Sequence, residues 1–126
     1  MIHGIGTDLL DAGRIRSGLA RFGEPYADRI LAPAEHAGYR ASRDPARLLA
    51  KCFAAKEAFA KATGTGLRAP VTLRNIAVLR DAQGKPVIEC APELDAWLAA
   101  RGVTAHHVSL SDESDFILAY VILEAT

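Results

Sequence analysis

The chain has little cysteine, few aromatics and no long apolar run. Its two cysteines, Cys52 and Cys90, stand apart with no C-x-x-C spacing, so both read as buried free thiols and not as a disulfide framework. The longest uninterrupted apolar run, Phe116 to Leu123, is far too short to span a bilayer. No basic segment followed by an apolar stretch opens the chain, so no signal peptide is expected. Together these absences point to the cytoplasm and to no membrane partner. There is no H-E-x-x-H and no G-x-x-x-x-G-K-[ST], which removes the commonest zinc-protease and P-loop readings. Nor is there a basic stripe interleaved with aromatics; with a sequence pI near 6.9, no nucleic acid is expected as a partner.

What is present fits one globular domain spanning residues 1–126, half apolar and a quarter charged. The net charge is zero, but residues 1–68 hold 11 Lys/Arg against 7 Asp/Glu, and residues 69–126 hold 4 against 8. A basic first half suits an acidic partner or a polyphosphate. The order strand, helices, hairpin, helix, hairpin predicts an α+β fold, with a small antiparallel sheet packed on a long central helix and shorter helices.

The most informative stretch runs from Asp44 to Gly66, DPARLLAKCFAAKEAFAKATGTG. Asp44 is a good N-cap, Pro45 suits the first helical position, and Gly64 sits where a left-handed cap would end the helix. Leu48, Leu49, Cys52, Phe53, Phe59 and Ala60 form one apolar face. Glu57 lies beside that face, with Lys61 one turn on. Alone, such a pair is a solvated salt bridge worth a few tenths of a kcal/mol. Followed by Gly64-Thr65-Gly66, it also supplies a carboxylate, a cation and flexible backbone N–H groups within one turn, a set suited to a phosphate-bearing ligand with a divalent metal. The C-terminal pole of the helix dipole repels phosphate, so Lys61 or a metal would have to offset it.

Near the N-terminus, Met1 to Leu10 reads as a short buried strand whose glycines let other backbone approach. Asp8 ends that apolar run, as a turn residue or as a metal ligand partnering Glu57. A helix from Asp11 or Ala12 to about Phe22 should bury Ile15, Leu19 and Phe22, with Arg14 and Arg21 on a neighbouring strip. Two short helices follow, broken near Ala32-Pro33. Leu73 to Arg80 pairs with Lys85 to Cys90 across a turn, and Thr104 to Leu110 pairs with Phe116 to Glu124 across Ser111 to Ser114. His106 and His107 are adjacent in a strand and cannot chelate one ion together.

FAAKEAFAKATGTG closely resembles the F-x-x-K-E-A-x-x-K-A-x-G-T-G signature of the holo-[acyl-carrier-protein] synthases, the small bacterial class of 4′-phosphopantetheinyl transferases. The N-terminal G-I-G-x-D pattern with a following R-I is matched by Gly4-Ile5-Gly6-Thr7-Asp8 and Arg14-Ile15. The resemblance spans nearly the whole chain. It implies transfer of 4′-phosphopantetheine from coenzyme A to a serine of apo-acyl carrier protein, in support of fatty acid biosynthesis. It further implies Mg²⁺ on Asp8 and Glu57, catalysis by Asp8, Glu57 and Lys61, and a homotrimer with sites between subunits. Coenzyme A would meet Arg47, Lys51, Lys61, Gly64, Thr65, Gly66 and Pro86; carrier protein would dock on Arg14 and Arg21. The general base is left open between Glu57 and a hydroxide on the metal. Two residues depart from the pattern. Asp112 stands where many members have histidine, and Cys52 where arginine is usual, so a ligand contact is expected to pass to Arg47 or Lys51. A pure binding module and a diphosphate hydrolase are the alternatives; retention of Asp8, Glu57 and Lys61 disfavours the first, and the basic helix at Arg14 the second.

Overall fold

A computed structural model describes all 126 residues. Strand β1 (Ile2–Asp11) leads into helix α1 (Ala12–Phe22), then α2 (Glu24–Ile30), a 3₁₀ turn at Pro33–Glu35 and α3 (His36–Ala41). The central helix α4 (Pro45–Thr63) is followed by a second 3₁₀ turn at Leu73–Asn75. Strands β2 (Ile76–Arg80) and β3 (Pro86–Cys90), helix α5 (Pro92–Ala100), and strands β4 (Val103–Glu113) and β5 (Phe116–Ala125) complete the chain. The strands form two antiparallel sheets, one of three strands in the order β1-β5-β4 and one pairing β2 with β3. No helix is long and apolar enough to cross a membrane.

Local chemistry sets both ends of α4. The Asp44 carboxylate accepts from the Arg47 N–H, and Gly64 closes the helix with φ of 82°, which a glycine adopts without a Cβ penalty. The helix runs across the inner face of the large sheet, burying Leu49, Ala54, Ala55, Ala58 and Phe59. Its approach to β1 needs glycine. A Cβ on Gly4 would lie 2.0 Å from the Ala62 carbonyl oxygen, and one on Gly6 would lie 1.9 Å from that of Ala58. Alanines on the helix and glycines on the strand thus remove a layer of side chains between them.

Three expectations need correction. β1 is not a buried strand: Gly6 and Leu10 face the core, but Ile5 and Leu9 are exposed on the other face. Opposite them on β5, Phe116, Leu118 and Tyr120 are also exposed, giving an open apolar face. Phe22 is exposed too, stacked on Tyr26 at the end of α1. Finally, Ser111, Asp112 and Glu113 are not turn residues. They continue β4, paired with Leu118, Ile117 and Phe116, and the chain reverses only through Ser114-Asp115. Polar residues near a hairpin tip read as a turn, although strand pairing satisfies their backbone equally well.

Below α4 lies a buried ion pair that was not anticipated. Lys56 is 0 % exposed and Glu35 3 %. The Lys56 ammonium donates to the Glu35 Oε1 and to the Ile30 carbonyl, both at 2.5 Å. Glu35 also accepts from the backbone N–H of Ala32 at 2.7 Å and of Val78 at 2.8 Å. One carboxylate thereby joins α4, the 3₁₀ turn and β2. Burial pulls the Lys56 ammonium below its usual pKa, with Glu35 opposing that shift.

Candidate active site

Strand alternation puts Gly4, Gly6, Asp8 and Leu10 on the side of β1 that meets α4. Because the Gly6 contact brings Ala58 against the strand, the residues flanking Ala58 on the helix come level with Asp8. Lys61 donates to the Thr7 carbonyl at 2.9 Å and to the Asp8 carboxylate at 3.2 Å. The Asp8 side chain is only 16 % exposed, whereas Lys61 reaches out at 55 %. The ion pair of Lys61 is therefore with Asp8 on the facing strand, and not the intrahelical bridge to Glu57 that spacing alone suggested.

Glu57 is half-buried at the same junction. Desolvation and the neighbouring Asp8 carboxylate hold its carboxyl above the usual range, while Lys61 and Arg14 partly offset them. The Asp8 carboxylate stands close enough to raise the proton affinity of Glu57, and the two hard oxygen donors fit a divalent cation such as Mg²⁺. Arg14, exposed on α1, contributes positive potential to this corner, which links the basic helix to the acidic pair. Arg21 lies two turns further along, its guanidinium 5.2 Å from the Phe22 ring centre.

The Gly64-Thr65-Gly66 turn adjoins the corner, but it is less open than expected. The Gly64 N–H donates to the Lys61 carbonyl at 3.1 Å, and the Thr65 N–H to the Thr63 hydroxyl at 3.3 Å. The helix cap consumes two of the three N–H groups.

Arg47 and Lys51 are not at this corner. Ten residues of helix separate Lys51 from Lys61, about 15 Å at 1.5 Å per residue. Both line a second feature, a cavity of about 440 Å³ between α3, α4 and β2 that Cys52, Arg80 and Leu110 also border. There Arg47 grips Asp112 at 2.8 Å and the Ser114 carbonyl at 2.7 Å, and Lys51 stands 3.5 Å from Asp112. The hydrogen bond from Arg47 holds the Asp112 carboxyl below the usual range. Asp112, which departs from the familiar histidine, thus anchors the cations of the cavity wall. Cys52 is buried in that wall, its thiol pushed up by burial and by Glu35. Pro86 begins β3 opposite Arg80, on the small sheet.

Sequence reasoning passed over Arg80, which had no motif around it and joins the cavity only through the β2–α4 packing. Within one chain, then, Asp8, Glu57, Lys61 and Arg14 come together, whereas Arg47 and Lys51 form a separate basic wall.

Residues 4–121 match the model of the 4′-phosphopantetheinyl transferase superfamily. The chain is 82 % identical over 124 residues to the holo-[acyl-carrier-protein] synthase of Thiobacillus denitrificans, covering 98 % of this chain and 95 % of that protein. Its fold superposes with a TM-score of 0.95 on the crystal structure of holo-[acyl-carrier-protein] synthase from Neisseria meningitidis, at 47 % identity, covering 98 % of this chain and 99 % of the other. The corresponding synthase from Bacillus anthracis, solved in complex with coenzyme A (3′,5′-ADP), gives a TM-score of 0.82 at 34 % identity, covering 100 % of this chain and 99 % of the other.

Proposed function

This chain belongs to the 4′-phosphopantetheinyl transferase superfamily, and from that premise we propose how its residues carry out the reaction. It transfers 4′-phosphopantetheine from coenzyme A to a serine of apo-acyl carrier protein, yielding holo-acyl carrier protein and 3′,5′-adenosine bisphosphate. The product carrier protein serves fatty acid biosynthesis. The observation that carries the residue assignment is the convergence of Asp8, Glu57 and Lys61 at the glycine-lined contact of α4 with β1.

In the reaction the serine oxygen bonds to the phosphorus bearing pantetheine, and the bond from that phosphorus to the bridging diphosphate oxygen breaks. Phosphoryl transfer of this kind depends on positioning and charge neutralisation. Asp8 and Glu57 would hold Mg²⁺, which when bound supplies charge neutralisation across the diphosphate. Lys61, already pointed at Asp8 and more than half exposed, neutralises or protonates the leaving oxygen. The serine proton must be taken up at this corner; Glu57 is one acceptor for it, less basic while it holds the metal. Arg14 extends the corner's positive edge onto α1, where an acidic carrier protein would dock, with Arg21 two turns further along.

The remaining coenzyme A contacts would come from a neighbouring copy. A head-to-tail ring of three chains can bring the Arg47–Lys51 wall of one subunit to the Lys61 end of the next. The open apolar face of Ile5, Leu9, Phe116, Leu118 and Tyr120 supports such an assembly. Gly66, with Gly64 and Thr65 shaping the turn, and Pro86 at the tip of the small sheet would border the ligand between them. The whole chain acts as one cytoplasmic domain.

The test is the intact mass of a purified apo-acyl carrier protein incubated with this protein, coenzyme A and Mg²⁺, with and without a chelator. A serine-linked gain of one phosphopantetheine that needs the metal and is lost in Asp8→Asn and Glu57→Gln is expected. Gain that persists in both variants would overturn the site assignment; no gain with the natural chain would overturn the activity.

A further inference from the structure

A second set of chemistry-bearing side chains converges where the two sheets meet. Cys90 ends β3, Asp95 lies in the first turns of α5 and His106 lies on β4. One ligand atom from each, a thiol sulfur, a carboxylate oxygen and an imidazole nitrogen, lies within 4.8 Å of the other two. We propose that Cys90, Asp95 and His106 form a site for one zinc-class divalent ion, with water in the fourth position.

The spacing carries the argument. The Cys90 Sγ and His106 Nε2 are 3.8 Å apart. Ligands bound to one tetrahedral zinc, with Zn–S near 2.3 Å and Zn–N near 2.05 Å, stand about 3.6 Å from each other. The thiol and the imidazole are therefore already at coordination spacing. The three ligands come from three elements, so their meeting is set by tertiary packing and not by a local turn. Phe59 holds the His106 ring edge-on at 6.0 Å between centroids. Asp95 is exposed and takes part in no ion pair. It is thus free to close the remaining distance, and it marks the side from which an ion enters.

The donor set also selects the ion. A thiolate with an imidazole and one carboxylate suits Zn²⁺ or Co²⁺; Mg²⁺ demands six oxygens and is refused. This separates the site from the Asp8–Glu57 pair, whose donors are all hard oxygens. On binding, the Cys90 thiol gives its proton to solvent and the sulfur lone pair bonds to the metal, while Asp95 and the neutral His106 bring no proton to displace. The ion would tie the small sheet and α5 to the edge strand β4, so binding should raise thermal stability as well.

The experiment titrates the full chain with Co²⁺ in the presence of excess Mg²⁺, which fills the hard-oxygen site. One equivalent should bind, with a thiolate-to-cobalt charge-transfer band in the near ultraviolet and visible bands of tetrahedral intensity; Zn²⁺ should bleach both. Cys90→Ser should abolish the charge-transfer band, and Cys52→Ala should leave it intact. Asp95→Asn, a change at an exposed side chain, should weaken binding by more than the roughly tenfold that loss of a supporting partner costs. Absence of the band, its survival in Cys90→Ser, its loss in Cys52→Ala, or an unchanged affinity in Asp95→Asn would each overturn the site.

Discussion

Replacing Lys56 by methionine should destabilise the protein strongly, and a second substitution at Glu35 should restore part of the loss. The natural pair is closed: the lysine has two acceptors, and the glutamate has the lysine and two backbone donors. Removing the cation leaves Glu35 charged at 3 % exposure with only the Ala32 and Val78 N–H groups to stabilise it. Breaking a buried pair from one side costs about 3–5 kcal/mol. With a urea slope of ~2 kcal/mol per molar, the unfolding midpoint should fall by about 2 M. In Lys56→Met/Glu35→Gln the stranded charge is gone, and a side-chain oxygen still accepts from the backbone. The residual cost is then one or two imperfect hydrogen bonds, about 1–3 kcal/mol. The double variant should therefore unfold at higher urea than the single one. Circular dichroism urea titrations at one fixed protein concentration would measure this, so that any assembly of copies leaves the comparison unaffected. A single variant that loses under about 1 kcal/mol, or a double variant less stable than the single, would refute the account.

Three further outcomes can be measured. Gly6→Ala drives a Cβ to 1.9 Å from the Ala58 carbonyl oxygen, so it should cost about 1–3 kcal/mol and lower kcat by displacing Asp8 from Glu57; a fully active, equally stable variant would show that β1 and α4 can part freely. Glu57 must be ionised to bind a metal, and burial and Asp8 hold its carboxyl above the usual range. A carboxyl NMR titration of the metal-free chain should therefore place Glu57 above the ordinary glutamate value of about 4.3, and a midpoint at or below it would contradict the geometry. Asp44 and Asp112 are held below the usual carboxylate range by Arg16 and Arg47 respectively. Their stabilisation is complete above the unfolded pKa of about 3.9 and is lost as pH falls through the depressed folded values. Thermal melts in that acid window should become less pH-dependent in Arg16→Gln, and an unchanged slope would remove Asp44 from the explanation.

The parts of the fold written in neighbouring residues were legible in the sequence. Asp44, Pro45 and Gly64 mark the ends of α4 by chemistry that acts within a turn, and the helix begins and ends where they say. Asp8 and Glu57 could be singled out because each stands in a dense local pattern, and the fold brings them to one corner. What escaped depends on contacts distant in sequence. Lys56 carried no local signal beyond its helix propensity; only the packing of the 3₁₀ turn and β2 against α4 turns it inward to Glu35, 21 residues away. Cys90 and His106 were set aside singly, since neither has a partner at a recognisable spacing, and α5 brings the third member. The role of Asp112 was likewise hidden. Its polar neighbours suggested a loop, whereas the strand presents it to Arg47 on another element.

Strand β1 has a further consequence for how much enzyme a cell must make. Its alternation points Asp8 toward α4 and the next residue, Leu9, toward open solvent on the apolar face. In the proposed ring, the few ångströms of backbone between them carry subunit recognition directly into the reaction centre. A scarce chain then meets few copies of itself and stays idle, while a modest rise in abundance recruits subunits and completes sites together. In such a ring, activity per chain would rise with protein concentration until assembly is complete.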